Sequence, residues 1–354
     1  MGRSEATELR CARLGAQGLV DRRATDVDEV VRHLLAVQAQ DLRAATLAVR
    51  ARTTGLTRAD VDEALTVRRS LVVSWLHRGT LHLVAAEDYW WLHALMAPRI
   101  VTGNTRRLRQ EGVSAIQAAR GVEVVADAVR SLGPQTRSQL QRHLDEAGVP
   151  TAGQALVHVL VAASIAGLVV RGPMVGRHHA FVDPASWIGP PQPVDPEASL
   201  ARLARRYLAS HGPADAGDLA KWSGLPLGAA RRGFAAIADE LAPFGGGLSR
   251  LADHPPTADL PAPRLLGGFD PILHGWASRE LFVGAHQGIV TTNGVFRPTA
   301  LVDGRTTATW TLNAGVLRLR PLEPLRTASR RALERDAGDV QRYLGLPEIG
   351  LVVP

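Results

Sequence analysis

The chain has 354 residues, 45% of them hydrophobic, with 41 Lys and Arg against 34 Asp and Glu. This length exceeds what one hydrophobic core usually serves, so we expect two to four compact units. The charged segment Met1–Leu9 and the lack of an apolar run of about 18 residues exclude a signal-peptide core and a transmembrane helix. We therefore expect a cytoplasmic monomer that has no membrane partner.

Cys11 is the only cysteine, which excludes an internal disulfide and cysteine-rich metal sites. The histidines, including the pair His178-His179, show no metal-ligand spacing, so we predict no metal and no cofactor. The net charge of +7 favours a polyanionic partner. Nearly all of the positive charge is arginine, because Lys221 is the sole lysine, and a GC-rich genome explains such a composition equally well.

The stretch 34–52 contains two neutral amides, Gln38 and Gln40, in an otherwise apolar or basic run. A helix is predicted from Asp26, its N-cap, to Val37. Asp41 is a plausible N-cap for a second helix that continues through Val49. Residues two apart point away from each other on a helix but share a side in an extended segment. The spacing therefore places Gln-Ala-Gln in the corner between two helices.

A third helix with Thr57 as its N-cap precedes two predicted strands, Leu71–Leu76 and Thr80–Val84. The strands are joined through His77-Arg78-Gly79, which puts Arg78 at the tip of a hairpin. Three helices followed by a short hairpin are typical of a winged helix. We assign residues 1–95 to this first winged-helix unit, with Trp90 and Trp91 as core anchors for the next helix.

Residues 96–120 are predicted to be a basic connector. Two interpretations remain open, a solvated helix face or a strip that contacts DNA phosphates. Its arginines are Arg99, Arg106, Arg107 and Arg109.

An internal repeat follows, because the stretch that begins at Ser131 matches the stretch that begins at Ser210, 79 residues later. In each copy, a helix stops at Gly-Pro and is followed by a short helix and then a longer one. The longer helix is predicted at Gly153–Ala166 in the first copy and at Leu227–Glu240 in the second. The first copy ends in a second wing, 168–171 and 178–182. The repeat predicts two further winged-helix units, 121–189 and 190–255, with the linker between them marked by four prolines from Pro190 to Pro196.

The segment Ala155–Val161 stands where a DNA-reading helix would lie in the first copy, and it is nearly all apolar. A helix of this composition is buried and cannot read bases in a groove. This argues against a transcription factor and for a scaffold. In the second copy, Arg231 and Arg232 are available for phosphate contacts.

Residues 256–354 are predicted to form a C-terminal β-domain, a small barrel or curved antiparallel sheet closed by the helix Ser329–Leu344. Asn293-Gly294 and Asp303-Gly304 are strong hairpin turns. Phe296 and Trp310 are candidates for its core, and Arg297 lies beside a hairpin tip. The predicted strands are Leu281–Val283, Gly288–Thr292, Ala300–Val302, Thr306–Leu312 and Val316–Leu319. The fold class is therefore α+β and mainly helical, with tandem winged-helix units before the β-domain.

Three ordered blocks of sequence resemble the AlkZ-like family of bacterial winged-helix DNA glycosylases. The blocks are Val37-Gln38-Ala39-Gln40-Asp41, the stretch Trp75–Val84, and the late stretch Gly294–Thr299 with Val302–Arg305 and Thr309-Trp310. Together they cover residues 34 to 310, which is most of the chain. A lone Gln-X-Gln carries no information, but three blocks in the right order are specific.

This resemblance implies that Gln38 and Gln40 are catalytic and that three winged-helix units plus a β-domain form a basic cleft. It also implies a substrate of double-stranded DNA that carries N7-alkylated purines. The Gln40 form resembles the branch associated with self-resistance in producers of DNA-alkylating natural products, some of whose members unhook interstrand crosslinks. Arg78, His82, Arg106, Arg107, Asn293 and Arg297 are the candidate DNA contacts.

The residues themselves are compatible with this chemistry. No nucleophile elbow, P-loop or dinucleotide fingerprint occurs, and Lys221 is expected at the surface rather than as a Schiff-base amine. An amide holds a water through its carbonyl oxygen and donates through its NH₂ group. A guanine alkylated at N7 is already cationic and leaves without a general acid, so positioning water is the remaining task.

Two alternatives without catalysis stay open at this stage. One is a DNA-binding regulator built from the same winged helices. The other is a protein that sequesters the genotoxin itself.

Overall fold

The computed structural model describes residues 3–20, 24–286, 288–291, 293–347 and 350–353, without the side chains of Arg3 and Ser4. The chain forms two compact units. Unit 1 comprises residues 1–61 and 200–354, and unit 2 comprises residues 62–199. In the described part of the chain, no helix is long and apolar enough to cross a membrane.

The N-terminal elements confirm the predicted corner around Gln-Ala-Gln. The elements are α1 (Arg3–Ala16), α2 (Val27–Leu34), β1 (Val37–Gln38), α3 (Leu42–Arg50) and α4 (Arg58–Thr66). Asp26 caps α2, as predicted, but the helix ends at Leu34 rather than at Val37. It ends there because Leu35 has a φ of 65°, a backbone conformation that cannot continue a right-handed helix.

Unit 2 contains the first predicted wing and the first copy of the repeat. Its elements are β2 (Leu71–Trp75), β3 (Leu81–Ala85), α5 (Ala86–Gln110), α6 (Ala115–Leu132), β4 (Gln135–Thr136), α7 (Arg137–Glu146), α8 (Ala155–Ile165), β5 (Val170–Val175), β6 (His178–Val182) and α9 (Pro184–Ile188). Five of its strands lie in the order β3-β2-β5-β6-β4, so the two hairpins share one sheet. The strands predicted for the first hairpin are confirmed to within one residue, whereas the strand predicted at 168–171 is β5 at Val170–Val175. Helix α8 is buried as its apolar sequence requires.

The basic stretch 96–120 comprises the end of the 25-residue helix α5, a short turn and the start of α6. Arg106 and Arg107 lie on the exposed face of α5, whereas Asn104 and Leu108 are buried. Arginine is a good helix former, and alternation of exposed and buried positions is typical of an amphipathic helix.

The second half of unit 1 begins with the second copy of the repeat. Its elements are α10 (Pro196–His211), α11 (Ala216–Ser223), α12 (Leu227–Ala235), β7 (Leu241–Gly245) and β8 (Leu248–Leu251). This copy has the same order of three helices and a hairpin as α6, α7, α8, β5 and β6 of unit 2. The sequence repeat therefore corresponds to a repeated structural element, and the assignment of both copies as winged helices stays a prediction.

The C-terminal part of unit 1 is a five-stranded sheet packed against a helix. Its elements are β9 (Arg264–Leu266), α13 (Glu280–Val283), β10 (Thr299–Val302), β11 (Arg305–Asn313), β12 (Val316–Pro321), α14 (Thr327–Leu344) and β13 (Leu351–Val352). The strand order is β13-β12-β11-β10-β9. Trp310, Leu317, Leu333 and Tyr343 belong to the core between sheet and α14.

Three expectations for this region are wrong. The sheet is mixed rather than antiparallel, because β13 pairs parallel to β12. Leu281–Val283 lies in a single helical turn, since a short apolar run does not distinguish strand from helix. Residues 288–291 form no strand beyond one bridge between Val290 and Phe296, and Thr292 lies outside the described residues.

Candidate active site

The Gln-Ala-Gln segment runs from the interior of unit 1 to its surface. Gln38 is 5% exposed and Ala39 is 2% exposed, whereas Gln40 is exposed. Gln38 lies in β1 and Gln40 lies in a bend, so both glutamines are outside helical geometry, as predicted. Asp41 then starts α3, because its carboxylate accepts the backbone N–H groups of Arg43 at 2.9 Å and Ala44 at 3.3 Å.

Gln38 is unusual because its side-chain amide makes no hydrogen bond to the part of the chain that the structure describes. A buried amide without a partner loses the free energy of hydration, so folding alone does not explain it. Some polar side-chain atoms of the described residues are fully shielded from solvent and have no hydrogen-bond partner. The Gln38 amide is not one of these atoms, so water reaches it. The amide is therefore placed to hold a water molecule or a substrate atom.

A cavity of about 300 Å³ begins at Asp41, the residue that follows Gln40. This size is at the small end of ligand sites in proteins. Its walls come from the first turn of α3, the loop after β9, the loop before β10 and strand β11. The lining residues are Asp41, Arg43, Ala44, Leu47, Gly268, Phe269, Val295–Pro298 and Trp310–Asn313.

The cavity combines aromatic surface with two exposed cations. The rings of Phe269 and Phe296 lie with centroids 5.5 Å apart, and the guanidinium of Arg279 lies 5.1 Å from the centroid of Phe296. Arg43 and Arg297 are exposed at the cavity. Flat apolar walls flanked by guanidinium groups suit a nucleobase attached to a phosphate chain.

Phe296 is therefore not the core residue that the sequence indicates. It is partly exposed and lines the cavity, whereas Trp310 is buried as expected and donates its indole N–H to the carbonyl of Leu266 at 2.9 Å. The difference arises because Phe296 lies in a loop and Trp310 lies in the middle of β11.

The loop that carries Phe269 approaches α3 very closely. A Cβ atom on Gly267 would lie 2.8 Å from the carbonyl oxygen of Ala44, so only glycine fits this position. Phe269 itself has a φ of 59°, which is strained for an aromatic residue. Strain of this kind costs about 1–3 kcal/mol and persists where the surrounding structure imposes it.

A buried ion pair holds this loop against the C-terminal end of α3. Arg52 donates to both carboxylate oxygens of Asp270 at 3.0 Å, and the two residues are 2% and 0% exposed. Arg52 also donates to the Gln17 side chain at 2.9 Å and to the Ala48 carbonyl at 2.8 Å. Because Asp270 adjoins Phe269, this pair fixes one wall of the cavity relative to the helix that follows Gln40.

A second buried arginine fixes α3 to the C-terminal helix. Arg50 is 1% exposed and donates to Asp339 at 2.8 Å and to the carbonyl of Leu265 at 2.9 Å. No motif in the sequence marks Arg50, Arg52, Asp270 or Phe269 as part of the site. The signals that the sequence does contain are two arginines at the end of an apolar helix and the run Gly267-Gly268-Phe269-Asp270-Pro271, which breaks regular structure.

Two of the expected DNA contacts lie near this cavity. Arg297 lines it, and the exposed Asn293 belongs to the same loop, in a turn where Gly294 donates to the carbonyl of Thr291 at 2.9 Å. The turn predicted at Asn293-Gly294 is therefore present, although it does not join two regular strands.

The other four expected contacts belong to unit 2. Arg78 is exposed in the turn between β2 and β3, where its φ is 54°. His82 is 2% exposed and its ring nitrogen Nδ1 lies 2.9 Å from the Thr80 carbonyl oxygen, so this buried residue supports the hairpin. Arg106 is exposed, and Arg107 pairs with Glu111 at 3.2 Å.

Several basic residues prove to be structural rather than available to a partner. In unit 1, Arg13 lies 3.0 Å from Asp218, and Arg264 donates to the carbonyls of Leu19 and Ala51 at 2.7 Å. Lys221 is exposed on α11 and does not line the cavity. The described residues contain no group of three or more His, Cys, Asp or Glu side chains that would hold a metal ion.

Comparison with known proteins identifies the family of the chain. The family model of the AlkZ-like DNA glycosylases matches residues 31–343. The chain is 28% identical to the interstrand DNA cross-link repair glycosylase of Streptomyces sahachiroi over 360 residues, which cover 95% of this chain and 96% of that protein. The solved structure of the DNA glycosylase AlkZ from the same organism superposes with a TM-score of 0.79 at 26% identity, over 98% of this chain and 99% of that chain. With a family match over most of its length, the chain belongs to the AlkZ-like DNA glycosylases and is an enzyme of that class.

Proposed function

We propose that this glycosylase hydrolyses the N-glycosidic bond of N7-alkylated guanine in double-stranded DNA, including bulky natural-product adducts and interstrand crosslinks. The relative from Streptomyces sahachiroi is named for repair of interstrand crosslinks, which supports this substrate class. An organism that makes such an alkylating compound and also carries this enzyme would use it for self-resistance. The cytoplasm is the expected compartment.

The observation that carries the proposal is the unpartnered amide of Gln38, buried beside the first turn of α3. We assign Gln38 the role of holding the attacking water through its carbonyl oxygen. Gln40, two residues further along the chain, lies at the surface and orients the water or the deoxyribose from there. Neither amide is a strong base, so their contribution is orientation and dipole placement.

N7-alkylguanine suits this weak machinery because it is a cationic leaving group. As the C1′–N9 bond breaks, the electron pair of the bond goes to the purine and cancels its charge, while the sugar becomes oxocarbenium-like. Water then adds to C1′ and gives up a proton, which leaves an abasic site. An undamaged guanine lacks the positive charge and leaves too slowly for two amides to help.

The cavity at Asp41 provides a place for the damaged base or its adduct. Phe269 and Phe296 offer flat apolar surfaces, and Arg43 and Arg297 offer guanidinium groups to neighbouring phosphates. Asn293 of the same loop, together with Arg78, Arg106 and Arg107 of unit 2, remains a proposed DNA contact. Phosphate contacts of this kind hold the register of the duplex and carry no sequence specificity.

We propose a hydrolase without lyase activity. A Schiff-base lyase needs an amine at C1′. Lys221 is the only lysine in the chain, and it is absent from the cavity lining. The abasic product should therefore stay intact until it is heated in alkali.

The test uses duplexes that carry one N7-methylguanine or one bulky N7 adduct, treated with hot alkali after incubation. The key variant is Gln38→Met, which keeps the length of the side chain and removes its amide. We expect excision to fall by at least about 100-fold, the scale seen when a group that positions or polarises the reacting atoms is removed. Thermal stability should be unchanged or higher, because the amide has no internal partner to lose.

The controls separate catalysis from binding and from folding. Gln40→Ala should also lose excision while keeping its affinity for undamaged duplex, and Gln141→Ala on α7 should behave as wild type in both assays. Salt-sensitive DNA binding without excision of either lesion would overturn the proposal and favour a DNA-binding regulator. Tight binding of the free alkylating compound, with no abasic sites formed, would favour a sequestering protein.

A further inference from the structure

Arg171 in strand β5 is a cation held in place by aromatic rings rather than by acids. Its guanidinium carbon lies 5.2 Å from the ring centroid of Trp75 and 5.2 Å from that of Phe181. The two rings are stacked, with centroids 6.4 Å apart. Arg171 faces Val73 across the pairing of β2 with β5 and Phe181 across the pairing of β5 with β6, so it sits in the middle of the sheet of unit 2.

The charge of Arg171 has no acidic partner among the described residues. Its Nε atom is fully buried and has no hydrogen-bond acceptor. Burial, with a smaller contribution from the cation of Arg137, lowers the pKa of Arg171 to about 10, so the group stays charged at neutral pH. A buried or half-buried cation without a partner is unfavourable for folding, and its retention therefore indicates an external anion.

Other groups of unit 2 make the surroundings positive. Arg137 is exposed at the start of α7, a ten-residue helix whose N-terminal end carries a partial positive charge. Arg177 is exposed at the tip of the hairpin of β5 and β6. His179 on β6 adds no charge at neutral pH, because burial and the Arg171 charge lower its pKa to about 4.

We infer that Arg171, assisted by Arg137, binds a phosphodiester group of the DNA backbone. The flat rings of Trp75 and Phe181 fix the guanidinium plane, so little side-chain entropy is lost when two parallel N–H groups reach the phosphate oxygens. The inference rests on the proposed function only in taking duplex DNA as the partner. The phosphate contact then comes from the hairpin of β5 and β6. It does not depend on which base is excised.

The experiment measures the affinity for an undamaged duplex by fluorescence anisotropy between 50 and 300 mM salt. Arg171→Met preserves a linear side chain over the two rings and removes the charge. We expect its affinity at low salt to fall about tenfold, and the slope of log K against log salt to become shallower by about 1. Arg171→Lys should retain the slope, because the charge remains. Arg130→Met, which removes an exposed arginine paired with Asp127 on α6, is the matched control and should keep the wild-type slope.

Thermal unfolding distinguishes this binding role from a structural one. With a phosphate role, Arg171→Met should unfold at or above the wild-type temperature, because a cation without an acidic partner has been removed. An unchanged salt slope together with a lower unfolding temperature would overturn the inference. Arg137→Gln, at an exposed position that does not affect folding, should also make the slope shallower, so a poorly folded Arg171→Met does not leave the question open.

Two further arms identify the anion. Inorganic phosphate that stabilises wild type more than Arg171→Met, without any change in the DNA slope, would assign the site to a free anion instead. The DNA measurement needs no excision, so a wild-type protein that excises neither lesion in the earlier test would overturn the proposed function and leave this result intact.

Discussion

Removal of the Asp270 carboxylate should damage both the stability and the active site of unit 1. In Asp270→Ala, the Arg52 cation stays buried without its counter-ion, and such a change costs about 3–5 kcal/mol. The lower end of this range applies, because Arg52 keeps acceptors at the Ala48 carbonyl and the Gln17 side chain. We therefore expect a loss of about 3 kcal/mol.

For a compact unit of the size of unit 1, this loss corresponds to a fall of roughly 6–12 °C in the unfolding temperature. The measurement is thermal unfolding followed by circular dichroism, with excision of N7-methylguanine assayed well below the transition. Excision should also slow, because Asp270 holds Phe269 and the end of α3 in one arrangement. Asp127→Ala removes an exposed carboxylate that pairs with Arg130 at 3.7 Å, and should cost no more than about 0.5 kcal/mol.

A variant that lacks both charges provides a second test. The combination Arg52→Met with Asp270→Leu removes both charges and should be more stable than Asp270→Ala alone. An Asp270→Ala variant that unfolds within about 0.5 kcal/mol of wild type would refute the argument, since it would show that the Arg52 charge needs no counter-ion.

Three other changes have defined outcomes. Asp41→Ala removes the two N-cap hydrogen bonds of α3, should cost about 1 kcal/mol by denaturant titration, and should slow excision because Gln40 precedes the cap. Gly267→Ala forces a Cβ against the Ala44 carbonyl, so we expect a loss of about 1–3 kcal/mol and weaker excision. Burial, with the nearby Arg171 charge, lowers the pKa of His179 to about 4. The unfolded value is about 6.5, so the unfolded chain binds more protons, and up to about 3 kcal/mol of stability present above pH 6.5 is lost as the pH falls towards 4.

Each of these has a control or a contradicting result. Asp41→Asn retains a capping oxygen and should restore most of the stability, whereas equal losses for Ala and Asn would rule out the capping argument. Gly228→Ala, where a Cβ meets no atom within 4 Å, is the control for Gly267→Ala. His179→Gln should flatten the dependence of unfolding free energy on pH between 4 and 6.5, and an unaltered profile would exclude His179 as its source.

The α3 corner and its surroundings were predictable from sequence because the signals are local. Asp26 and Asp41 cap the helices on either side of Gln-Ala-Gln, and each cap acts within three residues of its own position. Asp303-Gly304 closes the hairpin of β10 and β11 with positive φ at both positions, as its sequence requires. The 79-residue repeat likewise predicts the same order of elements twice.

Only the tertiary structure determines which polar residues stabilise the fold through internal contacts. Arg52 and Asp270 are 218 residues apart in the chain, and neither neighbourhood indicates an ion pair. Phe296 is a large aromatic residue and was a core candidate for that reason, yet it lines a cavity, where its ring lies 5.5 Å from that of Phe269. The parallel strand β13 also depends on a partner 34 residues earlier, at Leu317.

The positive charge of the chain also depends on both levels, since local sequence gives its amount and the tertiary structure gives its availability. Composition does not distinguish one arginine from another. In the folded chain, Arg13, Arg50, Arg52 and Arg264 are buried against internal partners, whereas Arg171 has no acidic partner among the described residues. Local sequence determines where helices, turns and caps form, because those interactions span a few residues. Which charges remain for DNA depends on contacts between distant segments, and these exist only once the chain has folded.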